Sequence, residues 1–503
     1  MPWEMLTQSK SRVGNGGFNI LWWLSRLAAF FNQSGPSKNG FRTHIPLLIL
    51  LLLLFFPRAF LTLQHPELVI HTDARVRYIP ALSAVESYWP NIFYANGPFH
   101  VLYLALLKLL FGSLKSSSVA IFQHVFGVIF ASLIFIVLKR QSQRYKISVI
   151  YPFLLTLFLF NSPLIIASEH SLLREHTILW VTAAGSTLFL FADYRSPLGR
   201  LQIFCALFLF AVASFVRMEA IVLWLLVFCV IIYNYIKVRE FKIVVFNLVV
   251  FSVIFGLFFA GKSFFADDKI TINQPYGGAK FNIAFHYLRP QNFDYTSDNY
   301  KQLVDAYSRI VESEITTTRS MGKFYQATRD YMTFGSETKH YKPSNQDMLR
   351  VMDHVFLDQI FNNPAQYAKT YVINLWKVVN ASGFYPPISA KASDLVVNGW
   401  PHFLASLFIK IQNGVTPKIG LSLCSFLCAV FLVLFNLKMR PEIVNRAAQL
   451  GAIAVSYTLF LAFIANPVAR FLAPVSFIYA LSLTIVLYYM IEKINVSLKR
   501  IGH

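Results

Sequence analysis

The sequence predicts an all-α polytopic membrane protein of about ten transmembrane helices, with an outer-face polar domain inserted between spans seven and eight. Three observations predict it. Of the 503 residues, 56% are hydrophobic and only 14% are charged, against about 25% charged in soluble domains. The apolar residues run in blocks close to the roughly 20 residues one helix needs to cross a bilayer. The basic residues recur at the ends of alternate blocks, the pattern of loops lying on one side of a membrane.

Hydropathy places the first seven spans at 45–63, 118–138, 147–166, 177–192, 201–215, 220–236 and 243–260. Three more follow at 419–437, 447–465 and 471–491. One set of loops carries Lys139, Arg140, Arg144 and Lys146, then Arg195 and Arg200, then Lys237, Arg239 and Lys242. Further along come Lys438, Arg440 and Arg446, and finally Lys493, Lys499 and Arg500. With Lys10, Arg12, Lys38 and Arg42 of the N-terminal tail, these fall on one side if ten helices alternate. Both termini are then cytoplasmic.

Four regions follow. Residues 1–44 form a cytoplasmic tail with an interfacial helix at 20–31, too short to span and interrupted by Arg26. Residues 45–261 form an N-terminal transmembrane module with an outer loop at 64–117. Residues 262–400 form an external domain or lid, rich in Tyr, Asn, Asp and Lys, with turn signals at Gln274-Pro275-Tyr276-Gly277-Gly278 and Tyr385-Pro386-Pro387. Residues 401–503 hold the C-terminal helices. No cleavable signal peptide is expected, because no small-residue cleavage site follows a basic start and an apolar run.

The outer loop is patterned. Apolar residues at helical spacing (Val76, Ile79, Leu82, Val85) predict a helix over 73–88. A second helix is expected at 98–111, bounded by Gly97 and Gly112. Both are expected to lie along the outer membrane surface.

Composition also excludes. The formal charge of +21 sits mainly at segment ends, so it reads as topology and contact with anionic lipids rather than nucleic-acid binding. The cysteines Cys205, Cys229, Cys424 and Cys428 lie inside apolar segments, without a disulfide framework or zinc spacing. Asp267-Asp268 either binds a metal or, as a bare acidic pair more often does, forms a solvated turn. No metal and no cofactor are expected.

The candidate chemistry lies on the outer side. In His71-Thr72-Asp73-Ala74-Arg75-Val76-Arg77-Tyr78, Asp73 is either a helix N-cap or a general base. Arg75 and Arg77 either touch headgroups or hold a phosphate, for which the guanidinium fork is well shaped. Lys108 either snorkels to the surface or adds a phosphate contact. Outward turns carry Glu169-His170 with Arg174-Glu175-His176, then Arg217-Met218-Glu219, then Arg470 after Asn466-Pro467. Charges near a membrane are costly unless used or paired, so these turns are expected to ring one cavity. His124, inside a span, reads as a satisfied core histidine.

With these residues in place, the chain resembles the GT-C superfamily of membrane glycosyltransferases, nearest to the protein O-mannosyltransferase and lipid A aminoarabinose transferase types. The resemblance rests on Asp73 after the first span, the Asn96-Gly97-Pro98 turn, a short helix ending Leu110-Phe111-Gly112, the Leu172-Leu173-Arg174-Glu175 turn, and Arg470-Phe471-Leu472-Ala473-Pro474. It covers the first seven spans loosely and the last one. Many members carry two adjacent acids in the first loop, whereas here Ala74 follows Asp73.

The resemblance implies a polyprenyl-phosphate-linked sugar donor, a glycan, lipid or protein acceptor, and transfer on the outer side of a membrane, expected to be a bacterial inner membrane with the site facing the periplasm. Asp73 would deprotonate the acceptor. Arg75, Arg77, Lys108, Arg174, Arg217 and Arg470 would hold the donor phosphate. A lipid phosphate leaves without a proton donor, unlike the leaving oxygen in glycosidases, so one acid suffices and direct displacement inverts the anomeric centre. The alternatives are a lipid-linked glycan polymerase or ligase, and a transporter or flippase; a transporter would be expected to show inverted repeats.

Overall fold

A computed structural model describes most of residues 44–265, scattered positions between 364 and 375, and residues 442–464 and 474–486 with Tyr489. Outside the described residues lie the N-terminal tail with its interfacial helix, nearly all of the 262–400 region including Asp267-Asp268, the 419–437 span, Cys424 and Cys428. Among the described residues the chain is helical and has no strand element.

The helices are α1 (Ile45–Gln64), α2 (Ile79–Ser87), a 3-10 helix (Trp89–Tyr94), α3 (Pro98–Phe111), α4 (Ser117–Arg144), α5 (Ile150–Phe160) and α6 (Pro163–Glu169). They continue with α7 (Glu175–Phe191), α8 (Pro197–Val216), α9 (Ala220–Lys237), α10 (Phe241–Phe265), α11 (Glu442–Ile464) and α12 (Pro474–Val486). Among the described residues, five stretches are long and apolar enough to cross a bilayer: Ile45–Leu63, Ser117–Arg140, Pro197–Val216, Ala220–Lys237 and Phe241–Phe258. The chain is a helical membrane protein.

Helices α1, α4 and α5 pack together, α7 packs on α8, α8 on α9, and α11 covers α7 and α9. The shared core holds Leu54, Phe135, Phe160, Phe189, Phe210 and Tyr457. Apolar side chains also cover the outside: Leu52 on α1 is 69% exposed and Leu257 on α10 is 68% exposed. A helix apolar on both its packed and its open face is at home only in lipid.

The expected span at 147–166 is interrupted. It divides into α5 and α6 because Pro163 has no N–H to donate and disfavours helical backbone at the residue before it. The first span contains Pro57. That proline cannot donate to the carbonyl of Leu53 four residues back, and the side-chain amide of Asn161, at the end of α5, donates to it instead over 2.8 Å. The break after α5 thus supplies the donor that a proline removes from α1.

The two ends of the bundle differ. At one end, Asn234 and Gln449 exchange amide hydrogen bonds of 3.1 Å. There Arg446 lies 5.0 Å over the Tyr194 ring, and Arg200 pairs with Glu240. This end gathers basic residues expected to be cytoplasmic. At the other end meet the start of α7, the end of α8, the start of α9 and the outer loop, with α3 packed on α8.

Candidate functional site

The site is built at that second end, starting from the loop. Helix α3 runs between two left-handed glycines, Gly97 with φ 88° and Gly112 with φ 72°. Gly112 closes the helix through its N–H to the Lys108 carbonyl at 2.8 Å, the usual role of glycine at a helix C-terminus. Gly97 has a second reason. A Cβ there would stand 2.5 Å from the carbonyl oxygen of Val216, the last residue of α8. The absent side chain lets the outer loop sit on the end of the bundle. Helix α2 is described from Ile79, with Tyr78 as its N-cap; most of the first turns of the expected 73–88 helix lie outside the described residues.

Arg174 approaches the same carbonyl, with Nη1 3.5 Å from Val216 O. Its guanidinium carbon lies 5.7 Å over the Tyr78 ring, an attractive placement for a cation. Tyr78 meets His100 edge-on at 4.8 Å. The Nε2 of His100 lies 3.3 Å from the Leu172 carbonyl. A carbonyl only accepts, so Nε2–H donates and Nδ1 carries the lone pair. Burial, and then the neighbouring His176, push His100 down to about 3, keeping it neutral. Tyr103 and His176 continue the layer, with ring centroids 6.0 Å apart.

Arg217 sits beneath this layer and is fully buried. It lies between two carboxylates: Nη1 is 3.8 Å from Glu175 Oε1, and Nε is 3.5 Å from Glu219 Oε2. Burial opposes the charge of Glu219, but Arg217 and Arg174 outweigh it and hold its carboxyl below the usual range. Glu219 therefore keeps its charge. Both separations exceed the 2.7–2.9 Å of a tight charge-assisted hydrogen bond, so these ions lie near one another without a close fork.

A second buried cluster, deeper along α1, is tight. Arg58 grips Glu169 in a fork, Nε to Oε2 at 2.7 Å and Nη2 to Oε1 at 2.9 Å. Its remaining N–H groups donate to the carbonyls of Leu54 at 2.8 Å and Phe160 at 2.6 Å and to Asn161 Oδ1 at 2.9 Å. All five guanidinium donors are thereby engaged. His124 Nδ1 lies 3.1 Å from Glu169 Oε2, and His124 Nε2 lies 3.0 Å from His170 Nδ1. His124 is a satisfied core histidine, as expected. A Cβ on Gly127 would be 2.3 Å from Glu169 Oε1, so glycine makes room for the carboxylate.

Of the expected donor-binding residues, the structure brings Arg174 and Arg217 to one place. It puts Lys108 elsewhere: its Nζ pairs with Glu86 at 2.6 Å, and the two side chains are 44% and 39% exposed. Lys108 also stands about 15 Å along α3 from the Gly97 turn, by helix rise. Asp73, Arg75, Arg77 and Arg470 lie outside the described residues, between buried Ala74 and Tyr78 in the case of the two loop arginines. Among the described residues no group of three His, Cys, Asp or Glu side chains is arranged to hold a metal ion.

Sequence reasoning overlooked Arg58, His100, Tyr103 and Tyr78. Arg58 had a signal, being an ion inside an apolar span directly after a proline, which demands a buried partner. The other three are ordinary residues of a loop, and only the fold turns them inward. No known protein family, curated protein or solved structure matches the chain.

Proposed function

We propose that the protein is an inverting glycosyltransferase that moves a sugar from a polyprenyl-phosphate donor to an acceptor on the outer face of the membrane. In this reading the chain crosses the membrane about ten times. The basic end is cytoplasmic, and the 262–400 region stands outside between spans seven and eight. A bacterial inner membrane, with the site toward the periplasm, is the setting.

The observation that carries the reading is the meeting of Arg174 and Arg217 at the Gly97 turn of the loop that bears Asp73, Arg75 and Arg77. Two buried guanidinium groups are costly in a membrane protein and are retained where an anion is handled. Arg217 lies 3.8 Å from Glu175 and 3.5 Å from Glu219, so cation and carboxylates gather at the turn where a donor phosphate would be held. Arg58 has every donor committed at 2.6–2.9 Å and is assigned a structural role. A diphosphate-free lipid phosphate leaves as an anion, and fixed cations stabilise it without reorganising. Asp73 takes the proton of the acceptor hydroxyl or amine.

The test uses purified protein in lipid nanodiscs with polyprenyl-phosphate sugars. Asp73→Asn should lower transfer roughly 10²–10⁴-fold with donor binding retained. Arg217→Lys keeps the charge and loses the fork, so donor binding should weaken while the protein stays folded. Turnover of Asp73→Asn within about threefold of the parent, well short of a lost base, removes the role of Asp73. Unchanged donor affinity in Arg174→Lys, Arg217→Lys and Arg470→Ala removes the phosphate site. A ladder of added sugars instead of one would mark a polymerase.

A further inference from the structure

Between α3, α4 and α7, behind the Tyr78 ring that carries Arg174, lies a cluster of polar side chains to which phosphate binding gives no role. His100 and Tyr103 stand one turn apart on α3, their ring centroids 6.1 Å from each other. Tyr103 meets His176 of α7 at 6.0 Å and faces Gln123 of α4. His100, Gln123 and His176 are fully buried, and so is the Tyr103 hydroxyl. Six polar atoms here have no hydrogen-bond partner among the described residues: His100 Nδ1, Tyr103 Oη, both amide atoms of Gln123 and both ring nitrogens of His176. Tyr103 points towards Gln123, and His176 towards the backbone of Ser168, but neither pair closes a hydrogen bond of good geometry.

Buried polar groups in native proteins are matched, so six open ones side by side call for a guest. The atoms say which kind. His100 donates through Nε2 to the Leu172 carbonyl at 3.3 Å, so its Nδ1 only accepts. Gln123 offers an accepting oxygen and a donating nitrogen, a neutral imidazole at His176 offers one of each, and the Tyr103 hydroxyl does both. A phosphate anion would meet the lone pairs of His100 and Gln123. A metal ion would meet their N–H neighbours, and among the described residues no three His, Cys, Asp or Glu side chains are arranged to hold one. A neutral group that donates and accepts at once fits, and that group is a hydroxyl. We propose that His100, Tyr103, Gln123 and His176 form a buried hydroxyl-binding site.

Two sources carry this chemistry. Water is the first and fills the site in the resting protein; a buried water makes about three hydrogen bonds to such groups. A hydroxyl of a sugar is the second. The Tyr78 ring packs on His100 at 4.8 Å and lies 5.7 Å under the Arg174 guanidinium, so the site adjoins the place where a donor phosphate would be held. The second source rests on the glycosyl-transfer reading, and the first does not. Tyr103 forms the wall, since the residue is only partly buried while its hydroxyl is closed off.

The test is hydroxyl-radical footprinting of the full chain in nanodiscs by short X-ray pulses, read by mass spectrometry. The radicals are made from water, so a fully buried side chain is modified only where water stands beside it. Without added lipid, His100 and His176 should be modified, whereas Phe160 and Phe210, equally buried in the apolar core, should not. Histidines no more modified than those two phenylalanines would overturn the site. A polyprenyl-phosphate hexose and the same polyprenyl phosphate without sugar then tell the sources apart. Protection of both histidines by the sugar-bearing lipid alone assigns the hydroxyls to the sugar; modification unchanged by either lipid assigns them to water. Failure of the glycosyl-transfer reading shows differently, as binding of neither lipid, and leaves the resting footprint to decide the site. Gln123→Met keeps the length of the side chain and removes both amide atoms. It should reduce the modification of His176 and lower thermal stability, because matched hydrogen bonds are lost. A more stable variant would mean that the amide had been unmatched, and would count against the site. Should the variant fail to fold, the wild-type footprint still decides.

Discussion

Arg58 and Arg217 are both fully buried, and the contacts of Arg58 mark it as an anchor between helices. Arg58 has its fork on Glu169 and its other donors on the carbonyls of Leu54 and Phe160 and on Asn161. Removing one partner of such a pair leaves an unpaired ion in a dry interior, at about 3–5 kcal/mol. Replacing both with apolar residues of similar size removes the charge altogether. Arg58→Met and Glu169→Leu should therefore each lower stability by about that amount, and the double variant should be more stable than Glu169→Leu or Arg58→Met alone. Thermal unfolding in detergent measures this. Additive losses would mean that the pair is not coupled. Little of this was visible beforehand: Arg58 stands in an apolar run, and its partner lies 111 positions away, a separation that residue spacing does not encode.

At the scale of elements, the sequence told most where the backbone itself imposes a rule. Helix α3 has the bounds expected from Gly97-Pro98 and Phe111-Gly112, because a left-handed glycine and a proline at the first turn act locally. The break at Asn161–Pro163 was missed, since hydropathy averages over a window and ignores one proline. What glycine does at each end of α3 also needed the fold. Gly112 has open space about it, while Gly97 faces Val216 O at 2.5 Å. Both substitutions to alanine force an L-residue into the left-handed region, roughly 1–2 kcal/mol. Only Gly97→Ala adds the collision, with a further 1–3 kcal/mol of overpacking. Gly97→Ala should thus be the more destabilising in thermal unfolding, and it should also weaken donor binding by lifting the loop from Arg174. Equal effects of the two would show that the loop does not rest on the end of α8.

For the whole molecule, charge segregation carried the class and the arrangement of ends, because a bilayer acts on every loop at once. The described helices agree with one part of that pattern: Arg200, Arg446, Tyr194 and Asn234 converge at one end, and Arg174, Arg217 and Glu219 converge at the other. Which end faces the cytoplasm is a separate question; the proposed reading puts the end rich in Lys and Arg there, because moving cations across the membrane is costly. Reporter fusions after Lys139, Lys237 and Arg440 should then read cytoplasmic, and one near Tyr300 external. The pair after Lys237 and near Tyr300 is decisive, because α10 alone separates them in the described chain before the polar region begins. An external signal after Lys237 would place Arg174 and Arg217 on the cytoplasmic side. A lipid-linked donor displayed outside could not reach them there, and transfer on the outer face would have to be abandoned.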